Sequence, residues 1–136
     1  MLVQHLPRVL AFKGQTMEEL GWQQPSDRTL LVPMRGELRS VAEDYLLRLD
    51  FLTGTEWPPR VIFVNPATLH YKINVDQHHL PILASREVHV QPAYQSGDGR
   101  VLQLICCSAV FQYYDVGHGG ATTRFSGVAQ THSSRR

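Results

Sequence analysis

The chain has only two cysteines, and they are neighbours, Cys106 and Cys107. Adjacent cysteines cannot crosslink distant segments, and a disulfide between neighbours is strained. Disulfides persist in oxidising compartments such as the extracellular space, whereas cytosolic thiols stay reduced. The sequence therefore predicts two reduced thiols in a cytoplasmic protein, without a disulfide framework.

Strong net charge and long apolar runs are also missing. The net charge of the 136 residues is +1, so no strong field attracts the protein to nucleic acid or to a membrane surface. No apolar run approaches the roughly 18 residues of a membrane-spanning helix. The opening MLVQHLPRVLAFKG has neither a basic leader nor a small-residue cleavage site, which argues against a signal peptide. Nucleic acid and membrane are not expected as partners.

The composition that is present is typical of one globular domain. Hydrophobic residues make up 43% of the chain and charged residues 18%, both ordinary fractions. A chain of this length can bury one core. No internal repeat or linker occurs, so we predict a single domain over residues 1–136, with a flexible polar tail from about residue 126.

Strands dominate the predicted secondary structure, whereas residues 66–98 look irregular, with EVHVQ as their only short strand. Pro33 places its strand at a sheet edge or a bulge. Alternation puts Leu47, Leu49 and Phe51 on one face of a half-buried strand. The continuous apolar run RVIFVN favours a central strand buried on both faces. The predicted strands are RTLLVPMRGEL, DYLLRLDFL, RVIFVN, EVHVQ and RVLQLICC.

Two short helices are predicted as well. Thr16 and Glu19 have the spacing of a capping box and Gly21 is a typical stop, so residues 16–21 predict one helical turn. After the last strand the period changes to that of a helix with one apolar face and Ser108 as N-cap. The β-branched and aromatic residues of this face are also compatible with a continued strand. The face consists of Cys107, Val110, Phe111 and Tyr114.

One stretch of the sequence resembles a known family. EDYLLRLDFLTGTEWPPRVIFVNPATLHYKINVD is similar to the middle of the ubiquitin-conjugating enzyme (UBC) fold. In that family an alternating strand leads to an aromatic-proline turn, a buried strand, a proline and a His-Pro-Asn motif. The resemblance covers about half of the chain, counting the preceding LLVPMRGELR. The residues that match are Trp57, Pro58, Pro59, the run 61–64 and Pro66.

The resemblance extends to divergent bacterial members, found in ubiquitin-like modification operons and beside antiviral nucleotide-signalling genes. It implies an α+β fold, a UBC-like antiparallel β-meander with few, short helices. It also implies a transferase that takes a ubiquitin-like modifier or target protein from an activating enzyme as a cysteine thioester and passes it to an amine. The conjugating protein would need no cofactor, because ATP is consumed in the activation step.

The family's active-site motif is only partly present. His70 and Asn74 stand in for its histidine and asparagine, but the local sequence reads HYKIN, with two extra residues and no proline. Ile82 lies where the family has its cysteine. One interpretation is an inactive variant that binds a modifier without forming a thioester. The other is a longer loop, with the cysteine arriving later at Cys106 or Cys107.

A physical argument favours the later cysteine. A thiol at the end of a strand, just before a helix, lies in the positive potential of the helix N-terminus, which favours the thiolate. Of two neighbours one side chain points inward, so at most one is reactive. Cys106 matches the family's Ile/Leu-Cys sequence better, and Cys107 would lie on the packed face. Asn74 is the expected donor to the oxyanion. The alternative is that both cysteines belong to the core.

Two further residues near the cysteines are candidates for acid–base chemistry. His118, in DVGHGG, would act as a general base or orient the incoming lysine, since imidazole titrates near neutrality. Asp115 is a second lysine-orienting candidate. The alternatives are a turn histidine and a surface carboxylate without a role. The seven histidines show none of the usual zinc spacings, so no metal is expected.

Three functions therefore stay open at the level of sequence. The first is the conjugating enzyme, and the second is a non-catalytic UBC-like binding module that recruits a modifier or partner protein. The third is a small hydrolase or metal-binding domain whose resemblance to the family is accidental.

Overall fold

A computed structural model describes residues 2–38, 40–52, 57–82 and 88–116. The predicted tail from about residue 126 and His118 lie outside these ranges. None of the helices in these ranges has the length and apolar character of a membrane span. The elements in chain order are α1 (Leu2–Lys13), α2 (Met17–Leu20), β1 (Gln23–Ser26), β2 (Thr29–Leu38), β3 (Val41–Asp50), β4 (Arg60–Val64), a 3-10 turn (Gln77–His79), β5 (Val90–Gln95), β6 (Val101–Ile105) and α3 (Phe111–Asp115).

The strands form two antiparallel sheets. β1, β2, β3 and β4 pair in sequence order as a four-stranded meander, and β5 pairs with β6 as a hairpin. The predicted α+β class with an antiparallel meander and few, short helices is therefore confirmed at this level. Pro33 lies opposite Leu46 of β3, whereas β1 pairs with β2 only as far as Leu31. The proline therefore occupies an edge on the β1 side, as predicted.

Helix α1 was not predicted from the sequence. It carries Pro7 in its interior, where proline has no amide hydrogen for the helical ladder and normally marks a helix end. Tertiary packing stabilises the helix nonetheless. Leu6 is buried with Leu30 of β2, and Leu10 packs against the same cluster.

Helix α2 forms as the capping pattern predicts. The Glu19 amide donates to Thr16 Oγ1 at 3.1 Å, and the Thr16 amide donates to Glu19 Oε1 at 2.8 Å. Gly21 ends the helix in the left-handed conformation, with φ of 73°. A Cβ atom at Gly21 would lie 3.2 Å from Pro33 Cγ, so the turn also permits close packing against β2.

The main core lies between the meander and the C-terminal part of the chain. Val61 and Phe63 of β4 are buried with Ile105 and Val110, and the predicted inner face of β3 packs on them through Leu47 and Leu49. Phe51, just beyond β3, packs instead in the second cluster around Leu6 and Leu30. The alternation of β3 is thus confirmed, and its inner face reaches both clusters.

The prediction of a central position for RVIFVN is wrong, although the strand is largely buried. β4 is the last strand of the meander, and side-chain amides pair with its outer edge. The Val61 amide donates to Gln112 Oε1, and Gln112 Nε2 donates to the Val61 carbonyl, both at 3.1 Å. Gln103 forms the same pair with Phe63 at 2.8 and 2.9 Å. Two glutamines therefore replace the strand that the apolar run predicts.

Two boundaries near the cysteines also differ from prediction. β5 begins at Val90 and continues beyond Pro92 to Gln95, whereas the sequence predicts a strand ending at Gln91. α3 begins at Phe111 with Val110 as N-cap, so the assignment of Ser108 as N-cap is wrong. The residues after Cys107 first form a turn, in which the Val110 amide donates to the Cys107 carbonyl at 3.2 Å.

Candidate functional site

The two thiols lie immediately after β6 and have different surroundings. Both are free and half-buried. The Cys106 amide donates to the His89 carbonyl at 2.8 Å, which extends the β5–β6 pairing by one residue. Gln91 Nε2 lies 3.4 Å from Cys106 Sγ and donates to it. Cys106 is therefore a partly accessible thiol with an amide donor directly beside its sulfur.

Cys107 belongs to the packed side of the structure. Its side chain packs against the core cluster that contains Val61, Phe63 and Val110. Its Sγ accepts from the Ala109 amide at 3.4 Å, within its own turn. This placement agrees with the expectation that Cys107 is the packing member of the pair.

The helix argument for an activated thiol is not supported by the observed boundary. α3 has five residues and starts at Phe111, with the turn 108–110 between it and Cys107. The electrostatic effect of a helix terminus falls off within about one turn and requires aligned peptide units. The amide of Gln91, and not the start of α3, is the polar group that the structure places at Cys106.

His70 and Asn74 lie in one loop, but they do not complete the cysteine site. Asn74 is exposed, has φ of 70° and accepts from Gln77 Nε2 at 3.1 Å. His70 Nδ1 lies 3.5 Å from Arg48 Nη1. Neither side chain forms a hydrogen bond with a cysteine in the described part of the chain. The expected role of Asn74 as oxyanion donor therefore lacks geometric support.

The loop that carries these residues is organised by a buried carboxylate. Asp76 is 5% exposed and accepts from the Lys72 amide at 2.7 Å and from Asn65 Nδ2 at 3.1 Å. These bonds, the backbone one first, hold the pKa of Asp76 below its usual value. The HYKIN segment is therefore part of a folded loop that the Asp76 carboxylate holds in place.

Asp115 is engaged by Arg100 and is not directed at the thiols. Arg100 Nη1 donates to Asp115 Oδ2 at 2.8 Å, and Arg100 Nη2 donates to the Asp115 carbonyl at 3.1 Å. The same guanidinium pairs with Asp98 at 2.9 Å. Asp115 therefore fastens α3 to the β5–β6 turn, which gives it a structural role that the sequence did not indicate.

Metal-ligating side chains do not gather in the ranges that the structure describes. No group of three or more His, Cys, Asp or Glu side chains there is placed to hold a metal ion. The rings of His78 and His79 lie side by side at an interplanar angle of 42°, with their centroids 4.0 Å apart.

Gln91 is the site residue that sequence reasoning missed. Its closeness to Cys106 depends on the pairing of Gln91 with Leu104 across the β5–β6 hairpin. A glutamine in a predicted strand carries no local signal of such a contact. Because residues 66–98 look irregular in the sequence, the β5–β6 hairpin itself was not predicted.

Comparison with known proteins does not assign the chain to a family. No family model, no curated protein and no solved structure matches it.

Proposed function

We propose that this protein is a UBC-like conjugating transferase that carries a ubiquitin-like modifier or target protein as a thioester on Cys106. A thiol outside the packed core, with an amide donor at 3.4 Å from its sulfur, is the observation that carries this proposal. Cys107 is the less suitable nucleophile because its side chain packs against the core cluster. A cytoplasmic location belongs to this proposal, because thiols stay reduced and available for thioester chemistry there.

The order of the elements supports the UBC-like interpretation. A helix precedes a four-stranded antiparallel meander, and the turn with Trp57, Pro58 and Pro59 leads directly into the buried strand β4. The Pro59 carbonyl accepts from the Phe111 amide at 2.8 Å. The proline turn that carries the resemblance thereby holds the start of α3, close in sequence to the thiols.

The proposed reaction has two acyl transfers. The Cys106 thiolate attacks the thioester carbonyl of the activated protein, so that a new S–C bond forms and the thiolate of the activating enzyme leaves. The amine of the acceptor then attacks the new thioester, an amide bond forms, and the Cys106 thiolate leaves. The amine proton passes to a solvent base. In both steps the negative charge that develops on the carbonyl oxygen needs a donor, and Gln91 Nε2, at 3.4 Å from Cys106 Sγ, is a side-chain amide beside the reacting sulfur.

A non-catalytic binding module of the same fold is the second candidate. One observation favours it: the side chains of His70, Asn74 and Asp115 all have hydrogen-bonding partners other than the thiols. Such a module would recruit a modifier or a partner protein through its surface, and both cysteines would be structural.

A transfer assay that does not depend on knowing the activating enzyme separates the two candidates. The protein is incubated with a ubiquitin-like protein whose C-terminus is a mercaptoethanesulfonate thioester, and the products are run on a non-reducing gel. We expect an adduct that reductant removes, that Cys106→Ala abolishes and that Cys107→Ala retains.

Two outcomes contradict the transferase. An adduct that persists in the Cys106→Ala variant would exclude this nucleophile. The absence of any adduct, together with iodoacetamide alkylation of Cys106 no faster than that of Cys107 in the native protein, would favour the binding module. A candidate activating enzyme with ATP and its own modifier then extends the assay to the complete reaction.

A further inference from the structure

A pocket of about 290 Å³ lies on the face of β4 that points away from the core. Side chains alternate along a strand, so Arg60 and Ile62 face this pocket while Val61 and Phe63 face the core. Ile73 of the following loop and Val101 and Leu102 of β6 complete most of its wall. The pocket is separate from the cysteine site and from the reaction proposed for it.

The wall of the pocket is mainly apolar and has few free hydrogen-bonding groups. Ile62, Ile73 and Leu102 are only half-buried, and Val101 is 48% exposed. The polar side chains in the wall are engaged elsewhere: the two glutamines pair with β4, and the Tyr71 hydroxyl donates to the Pro92 carbonyl at 2.7 Å. A ligand would therefore meet apolar carbon over most of its surface.

Arg60 supplies a cation to the pocket wall. The guanidinium of Arg60 stacks on the Phe111 ring at 4.4 Å, and among the described residues no carboxylate forms an ion pair with it. Asp50 also borders the pocket, but Thr29 Oγ1 donates to it at 2.7 Å and Arg48 pairs with it at 3.0 Å. The group of Arg48, Asp50 and Arg60 thus carries one net positive charge.

We infer that this pocket binds an apolar monocarboxylate, with the carboxylate on Arg60 and the hydrocarbon part against Ile62, Ile73 and Leu102. A guanidinium presents its N–H donors as a planar fork that matches the two oxygens of a carboxylate, and the Phe111 ring, 4.4 Å from Arg60 Cζ, packs against this one. The neighbouring Asp50 favours a singly charged group over a phosphate dianion, because the second negative charge would be repelled. Two sources have this chemistry, a small free acid and the C-terminal residue of a peptide with an apolar side chain.

The test is a titration of the ¹⁵N-labelled protein, monitored through the chemical shifts of its backbone amides. The probes are hexanoate, hexanamide as the uncharged match, and the peptide acetyl-Gly-Gly-Leu with a free or an amidated C-terminus. We expect saturable shifts at Ile62, Ile73 and Leu102 with at least one free carboxylate probe, and binding at least tenfold weaker with its amide. Saturation by hexanoate alone assigns the site to small acids, and saturation by the peptide alone assigns it to chain ends.

Variants locate the charge that the ligand uses. Arg60→Gln is expected to weaken binding at least tenfold, Arg60→Lys less, and Arg35→Gln not at all, because Arg35 pairs with Asp44 on the exposed β2–β3 ribbon. Ile73→Glu places a carboxylate in the pocket without touching Arg60 and is expected to abolish binding. The dispersion of each variant's amide spectrum shows whether it is folded. Equal binding of acid and amide, unchanged affinity in folded Arg60→Gln, or shifts spread over the whole surface would overturn the inference.

Discussion

The side-chain amide of Gln112 lies alongside the backbone of Val61 as a neighbouring strand would, giving and receiving one hydrogen bond at 3.1 Å each. Gln103 does the same for Phe63. Both glutamines are buried, at 3% and 2% exposure. The free edge of β4 is thereby satisfied where water does not reach it, which a buried backbone requires.

Removing one of these amides should destabilise the fold strongly. In Gln103→Leu the amide and carbonyl of Phe63 lose their partners, and an unsatisfied buried polar group costs about 1–3 kcal/mol. For the two groups together we expect a loss of about 2–6 kcal/mol in the free energy of unfolding, measured in urea. The matched control is Gln95→Leu on the exposed part of β5, with a change within about 0.5 kcal/mol. Similar losses in both variants would contradict the edge-sealing role.

A side chain at Gly21 should destabilise the fold. Its φ of 73° is unfavourable for other residues, and an added Cβ would come within 3.2 Å of Pro33 Cγ. Gly21→Ala is expected to lower the free energy of unfolding by about 1–2 kcal/mol. Gly97 has no heavy atom within 4 Å of such a Cβ, so Gly97→Ala serves as the control and is expected to be neutral or slightly stabilising. Equal destabilisation by the two substitutions would refute the argument.

Asp98 should contribute to acid sensitivity. The Ser96 hydroxyl first, and then Arg100, hold the pKa of the Asp98 carboxyl well below its usual range. A depressed pKa in the folded state means that the stabilisation is complete above the unfolded value of about 3.9 and is lost as pH falls below it. Asp98→Asn should therefore flatten the fall in stability below about pH 4.

Thermal unfolding followed between neutral and acid pH measures this effect. Asp27→Asn provides the control, because Asp27 is exposed and forms no hydrogen bond or ion pair within the described ranges. A fall in stability that is as steep in Asp98→Asn as in the unaltered protein would show that Asp98 has no such role.

Gln91 should affect the chemistry of Cys106 more than the stability of the fold. Gln91→Leu removes the amide at 3.4 Å from Sγ, and we expect thioester formation on Cys106 to slow about tenfold or more. Gln91→Asn shortens the side chain but keeps an amide, and it should restore part of the rate. An unchanged rate in Gln91→Leu, or no recovery in Gln91→Asn, would reduce Gln91 to a packing residue.

Features encoded by neighbouring residues were predictable from the sequence. The capping box depends on Thr16 and Glu19, and the inner face of β3 depends on Leu47 and Leu49. In each case the residues are only a few positions apart, and both features formed as expected. Helix α1 did not follow from local pattern, because Pro7 marks an end unless tertiary packing overrides it.

The predictions that failed concern features that depend on contacts between residues far apart in the sequence. The apolar run of β4 predicted burial correctly, but its partners Gln103 and Gln112 lie 40 and 51 residues away. The candidate site has the same limit: the resemblance pointed to Asn74, whereas the donor at Cys106 is set by strand register in a hairpin that periodicity did not reveal.

The double contact of Arg100 with Asp115 joins the two ends of the cysteine segment. Arg100 precedes β6 and Asp115 ends α3, so their ion pair at 2.8 Å closes the intervening chain into a ring that contains both thiols. A single exposed ion pair contributes little, but here Asp98 shares the guanidinium. Because the two ends of this ring are tied together, the segment that carries Cys106 is ordered before a partner binds. The binding free energy of a reacting partner is therefore not reduced by the entropic cost of ordering it.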